Sequence, residues 1–191
     1  MKTAKVLFEL LNNFDEDRRV EAKSASAVGK SMMETVCAFS NEPGLRGGYL
    51  LLGAKRVGMS DDGKPIYEPE NIENSDKIQS DFVAMCNSMF NIHIRPIIQV
   101  EEYQGKTVVV VKIEELPVSL KPAYFAKRGL PEGAFRRIGP SDEKCSQEDM
   151  YLFYQSADTY DSCVVDDTDL DDIDENALGF YRRLRKEVNP E

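Results

Sequence analysis

The sequence predicts an α+β fold: a mixed, mostly antiparallel sheet of about six strands flanked by helices, followed by a linker and a C-terminal helix. Three observations predict it. Val28, Met32, Val36 and Phe39, with Met33 and Ala38 beside them, recur at the three- and four-residue spacing of one helical face. Gly47-Gly48 then turns the chain into Tyr49, Leu50, Leu51 and Leu52, an apolar run suited to a strand covered on both faces. Further on, residues 96–103 and 106–113 flank Gln104-Gly105 as the arms of a hairpin, with VVVVKI as its central strand.

The remaining elements follow in chain order. Val6, Leu7, Leu10 and Leu11 give residues 2–12 an amphipathic helix that Asn12-Asn13 ends. Residues 14–19 are a charged connector, and 19–23 alternate as a short edge strand. Asn41, Glu42, Pro43 and Gly44 stop the central helix. Ser60 to Pro65 is a turn-forming cluster at the tip of another hairpin. Ser75 caps a helix running to about Asn91, with Ile78, Phe82, Val83, Met85, Cys86 and Met89 as a broad buried stripe. Residues 123–127 and 134–138 read as two short strands around a 129–133 loop, and 146–155 as a helix. Residues 1–157 thus make one domain, 158–175 an acidic linker, and 176–191 a helix carrying Ala177, Leu178, Tyr181, Leu184 and Val188.

Composition sets the broad class. Of 191 residues 41% are hydrophobic and 30% charged, as in soluble globular chains, and no stretch approaches membrane-spanning length. A cytoplasmic location is the default expectation. Cys37, Cys86, Cys145 and Cys163 form no CxxC pair, so neither a zinc site nor a disulfide framework is indicated, and His93 has no neighbouring ligand. Asp158 to Glu175 holds nine acids and no Lys or Arg. Without them the formal charge falls from −10 to −1, so the body is nearly neutral.

VEAK at 20–23, CAFSN at 37–41, GGYLLLG at 47–53 and FRRIGPS at 135–141 together resemble the AlbA_2, or Schlafen-type, domain, formerly catalogued as a divergent AAA-type domain. The resemblance spans about Leu7 to Met150. It implies a nucleic-acid-binding domain of a bacterial transcriptional regulator, with DNA the expected partner. The domain would contact phosphate backbone or form a homodimer, while a helix-turn-helix module beyond Glu191 reads sequence. Schlafen-type nucleases place two glutamates at the spacing of Glu16 and Glu21, with a third acid after the strand that follows the glycine turn. Here Ala54, Lys55 and Arg56 occupy that place.

Three motifs carry candidate chemistry. Ser24 to Ser31, SASAVGKS, would be a phosphate-binding loop if Ser24 were glycine, but that glycine and a strand-end aspartate for magnesium are both missing. Glu16 and Glu21 are the alternative, a metal-dependent ribonuclease pair that would hold Mg or Mn; two carboxylates bind such ions poorly without a third anionic ligand, so no catalytic residue or cofactor is assigned. The third motif is basic: Lys23, Arg46, Lys55, Arg56, Arg136 and Arg137, with Lys127 and Arg128 nearby, are expected to meet on one face and grip phosphates. Tyr103, Tyr124, Phe125 and Phe135 could add stacking if exposed. A protein-interaction scaffold that never touches nucleic acid is the remaining alternative.

Overall fold

A computed structural model describes residues 1–25, 30–157, 174 and 178–183. The chain divides into two compact units, 1–157 and 158–191. In the second, residues 178–183 are helical, with the Leu178 amide donating to the Asp174 carbonyl, and the expected linker otherwise lies outside the described residues. No helix among the described residues is long and apolar enough to cross a membrane.

Unit one is built on a four-stranded sheet. Its elements are α1 (Ala4–Phe14), β1 (Val20–Lys23), α2 (Lys30–Asn41), β2 (Gly48–Leu52), β3 (Ala54–Met59), β4 (Pro65–Pro69), α3 (Ser75–Ser88), β5 (Ile97–Tyr103), β6 (Lys106–Ile113), β7 (Phe135–Ile138), β8 (Ser141–Lys144) and α4 (Gln147–Ala157). The sheet order is β1-β2-β6-β5, with β1 parallel to β2 and the other pairs antiparallel; β3-β4 and β7-β8 are separate hairpins. A parallel neighbour needs a crossover, which α2 supplies.

The apolar run does cover both faces. Leu50, Leu52, Val109 and Val111 pack with Met32, Val36, Phe39 and Phe82, whereas Leu51, Val108 and Val110 pack with Leu7, Phe8 and Leu11 of α1. Strand alternation divides them, since neighbours in a strand point to opposite faces. Thr3 starts α1 by accepting the Val6 amide, and Asn74, rather than Ser75, caps α3 through the Lys77 amide.

Several sequence expectations change. The stripe of α3 packs as expected through buried Phe82 and Cys86 and partly buried Ile78, Met85 and Met89, whereas Val83 is exposed. Residues 123–127 form no strand; Phe125 makes a single bridge to Phe90. β7 pairs instead with β8, a strand of Ser, Asp, Glu and Lys that carries no apolar alternation to announce it. Val28, Gly29 and the middle of the SASAVGKS segment lie outside the described residues.

The glycine turn is set by close approach. Gly47 has a left-handed φ of 74°, and a Cβ there would lie 1.9 Å from the Ile113 carbonyl oxygen. A Cβ on Gly48 would stand 2.6 Å from the Phe39 ring. Gly48→Ala is therefore expected to cost about 1–3 kcal/mol, the range for overpacking a filled core. Denaturant melts should show that adding Phe39→Leu recovers part of that loss, because it clears the ring; equal losses in both backgrounds would refute the steric cause.

Candidate nucleic-acid interface

FRRIGPS places two arginines on β7 whose environments differ sharply. Arg137 points into the body with its side chain fully buried. It donates to Glu21 Oε2 on β1 at 2.8 Å, to Asp142 Oδ1 on β8 at 2.8 Å and to the Asp17 carbonyl at 2.9 Å. Its guanidinium lies 5.0 Å over the Phe39 ring, and its Nε finds no partner among the described residues. Thr35 of α2 donates to the second oxygen of Asp142. Burial raises the Asp142 carboxyl, against the Thr35 and Arg137 hydrogen bonds that lower it.

Arg136, one residue before it, faces the other way, as alternation requires. It grips Glu42 at the end of α2 in a bidentate pair, 3.0 and 3.1 Å, and reaches Asp149 of α4 at 2.5 Å. Hydrogen bonds from Arg136 to Glu42 raise the already high pKa of the arginine. Asp149 also exchanges hydrogen bonds with Ser146 at the start of α4, so one arginine joins the end of one helix to the beginning of another.

Glu16 and Glu21 are both engaged within the fold. β1 is an edge strand, and its outward amides are met by side chains of the connector: Glu16 Oε1 accepts from Ala22 and Asp17 Oδ1 from Val20. Glu21 points to the α2 face, between Lys23 Nζ at 2.5 Å and Arg137. Burial, and then the neighbouring Glu21 charge, raise Glu16 above the usual carboxylate range. No group of three or more His, Cys, Asp or Glu among the described residues is arranged to hold a metal ion. Asp62, at the β3-β4 tip, is tied to Ser60 and Lys64.

The remaining cations sort by exposure. Lys23 is half-buried against Glu21, and Arg128 is tied to Glu34 while lying 4.4 Å over the Phe125 ring. Lys55 and Arg56 project from the exposed edge of β3, where Arg56 meets Asp15 at 3.2 Å. Arg46 is exposed at the glycine turn. The expected single patch is thus divided among the interior, the β3 edge and the turn. Tyr103 stacks on Phe8, and Phe125 and Phe135 are buried against each other, which removes them as open stacking platforms. The described cysteines are buried, with Cys86 and Cys145 pushed up to about 12 by that burial.

At the turn, Arg46 has neighbours that the expected basic set does not include. Arg18 and Arg19 line a groove of about 400 Å³ with Asp17, Gly44 and Leu45. Arg46 and Lys112 line a second, of about 430 Å³, with Glu114, Glu115, Leu116 and Pro117. The strands bring them together: Tyr49 of β2 sits opposite Lys112 and donates its amide to the Arg19 carbonyl. The Arg19 and Arg46 side chains form no ion pair among the described residues. The turn itself already binds an anion, because Glu115 accepts the Gly44 and Arg46 amides at 2.9 and 2.7 Å and the buried Lys121 ammonium at 2.6 Å. The sequence signal for this site is Arg18-Arg19, just before a strand that neighbours the glycine turn; as part of a charged connector the pair looks ordinary.

Two outcomes follow. Arg137→Ala strands Glu21 and Asp142 as buried charges and should cost about 3–5 kcal/mol in denaturant melts. Adding Glu21→Gln and Asp142→Asn should restore much of that loss, and no restoration would show that packing of the arginine is what counts. For Glu16, the folded protein holds its proton more tightly than the unfolded chain, so this group favours folding below the ordinary carboxylate pKa of 4.5 and loses that contribution as pH rises through the raised value. Glu16→Gln keeps an acceptor for Ala22. Thermal melts should find it equal to the parent near about pH 4 and more stable at neutral pH.

The family model "Schlafen, AlbA_2" matches residues 16–146. Among solved structures, the chain is similar to the N-terminal domain of a Nitrosomonas europaea protein named for its relation to the ATP-dependent DNA helicase RecG, with 49% identity, a TM-score of 0.63, and coverage of 76% of this chain and 95% of that one. It is more remotely similar to the DIP2311 protein of Corynebacterium diphtheriae, at 16% identity and a TM-score of 0.45 over 87% of this chain and 33% of that one. No curated protein matches. With more than half of its length matched by the family model, and with VEAK, the glycine turn and FRRIGPS forming one packed unit, the chain belongs to the Schlafen AlbA_2 family.

Proposed function

We propose that this domain binds the phosphate backbone of nucleic acid at the glycine-turn end of its sheet. The observation that carries the reading is the meeting of Arg18, Arg19, Arg46 and Lys112 around two adjoining grooves. Guanidinium groups match phosphate oxygens in a bidentate fashion, and none of these side chains is buried as Arg137 is, although Lys112 also pairs with Glu114 at 2.8 Å. Family membership and the RecG-related name of the N. europaea relative support the same class of partner. Lys55 and Arg56 on β3 form a second, weaker point of contact at the opposite end of β2. Such contacts fix a protein on a duplex or strand without reading its bases, so recognition of sequence belongs to another module of a transcriptional regulator.

Titration of labelled duplex and single-stranded DNA and RNA by fluorescence anisotropy tests this. Affinity should fall steeply with salt. Arg19→Glu with Arg46→Glu should weaken binding by at least about tenfold and lower the slope of log affinity against log salt by about one for each phosphate no longer neutralised. Lys55→Glu should act less. Binding that ignores salt, or that survives the double reversal unchanged, would remove the reading and leave the scaffold alternative. Degradation of RNA with manganese that Glu21→Gln abolishes would instead establish the nuclease.

A further inference from the structure

The four-stranded sheet ends in β5, a strand of seven residues that pairs on one side with β6 and with no other strand among the described residues. Its hairpin turn has positive φ at both central residues, Gln104 at 51° and Gly105 at 71°, the tight mirror-image turn in which the flanking Tyr103 and Lys106 exchange both backbone hydrogen bonds. Hydrogen-bonded and non-bonded pairs alternate from there. Glu102, Val100 and Ile98 therefore turn their amides and carbonyls away from β6. Thr107, the partner of Glu102, agrees: its own amide and carbonyl engage Asn71 and Ile72 on the far side of β6.

This open edge carries apolar side chains. Val100 is 39% exposed on the face that also bears Ile98 and α3, where Val83 is 38% exposed, and Ile97 is 46% exposed on the opposite face. Two shallow grooves flank α3: one reaches β5 and is lined by Gln79, Ser80, Val83, Pro96 and Ile98, and the other, lined by Val83, Asn87, His93, Arg95 and Pro96, lies against the segment leading into β5. The strand's charge is also asymmetric, with Arg95 leading into it and the exposed Glu102 near its end, while Glu101 accepts the Ala4 amide of α1.

We propose that β5 is a homodimer interface, in which a second copy of this chain adds its β5 antiparallel and extends the sheet to eight strands through a two-fold axis at Val100. A second copy offers the matching edge in reverse. Ile98 faces the partner's Glu102, Val100 faces the partner's Val100, and the three outward residues of each copy make about six backbone hydrogen bonds. The antiparallel order separates the two acidic ends, which a parallel pairing would force together, and brings the partner's Glu102 toward the groove that holds His93 and Arg95. Pro96 lies just outside the paired residues, where its missing amide costs nothing. The interface is isologous, as closed two-fold assembly requires, and lies apart from the glycine-turn cations, so it stands or falls independently of nucleic-acid binding.

Sedimentation and light scattering of the full chain across a dilution series should find a species of twice the 21.6 kDa chain mass. Val100→Lys and Val100→Glu, each placing like charges on the axis, should shift the chain to a monomer that keeps the parent's circular-dichroism spectrum and melts at a temperature independent of protein concentration. Mixing the two variants should restore the dimer. Val100→Pro removes an outward amide while leaving every bond to β6, and should weaken association at least tenfold. A chain that stays monomeric at all concentrations, a dimer indifferent to Val100→Lys, or a mixture that remains monomeric would each overturn the proposal.

Discussion

The fold depends on a guanidinium taken out of water. Arg137 joins β1 through Glu21, the connector through the Asp17 carbonyl, and β8 through Asp142, which is held in turn by Thr35 of α2. One side chain thereby ties together four separate pieces of the chain. The desolvation of a charge is costly, and two carboxylates plus a carbonyl offset it only because the planar fork meets all of them at hydrogen-bonding distance. That requirement fixes the β7-β8 hairpin against the edge of the sheet, although the hairpin shares no strand pairing with it.

The same contact determines what the family's acidic and basic motifs can do. Glu21 serves as a counter-ion to Arg137 and Lys23, and Glu16 closes the edge of β1 by accepting the Ala22 amide. Glu21 has both oxygens engaged and would have to give up a partner before it could ligate a cation, and Glu16 has one oxygen engaged. The arginines of FRRIGPS are likewise committed to Glu21, Asp142, Glu42 and Asp149. Positive charge available to a ligand is left to residues outside those motifs, at the turn and on β3.

Much of the fold is legible in the sequence because it follows from periodicity. The helical spacing of Met32, Val36 and Phe39, the run of Leu50 to Leu52 and the VVVVKI hairpin each encode their burial directly. β8 is not, since Ser-Asp-Glu-Lys is held only through its backbone to β7 and through Asp142 to Arg137 and Thr35. The site is less legible still. Sequence gives charges but not which of them face each other, so a buried arginine and an exposed one look alike in FRR. Whether Arg137 points inward is fixed by strand alternation and by a carboxylate more than a hundred residues away, and neither can be read from its neighbours.

How a chain of net charge −10 could hold a polyanion turns on distance rather than on totals. Mobile ions screen exposed charges beyond roughly 8 Å at physiological ionic strength, so a phosphate at the glycine turn responds to the groups lining it. There Glu115 is already compensated by Lys121 and by two backbone amides, and Glu114 by Lys112. Asp17 directs one oxygen to the amides of Arg19 and Val20. Arg19 and Arg46 remain, exposed and without an ion pair among the described residues, with Arg18 only 3.9 Å from Glu42 in a contact too long to be a strong one. Two exposed guanidinium groups without an ion pair among the described residues thus stand at the turn of a chain that is acidic as a whole. The turn's own amides are taken by Glu115, so a phosphate there would be met by side chains rather than by the backbone.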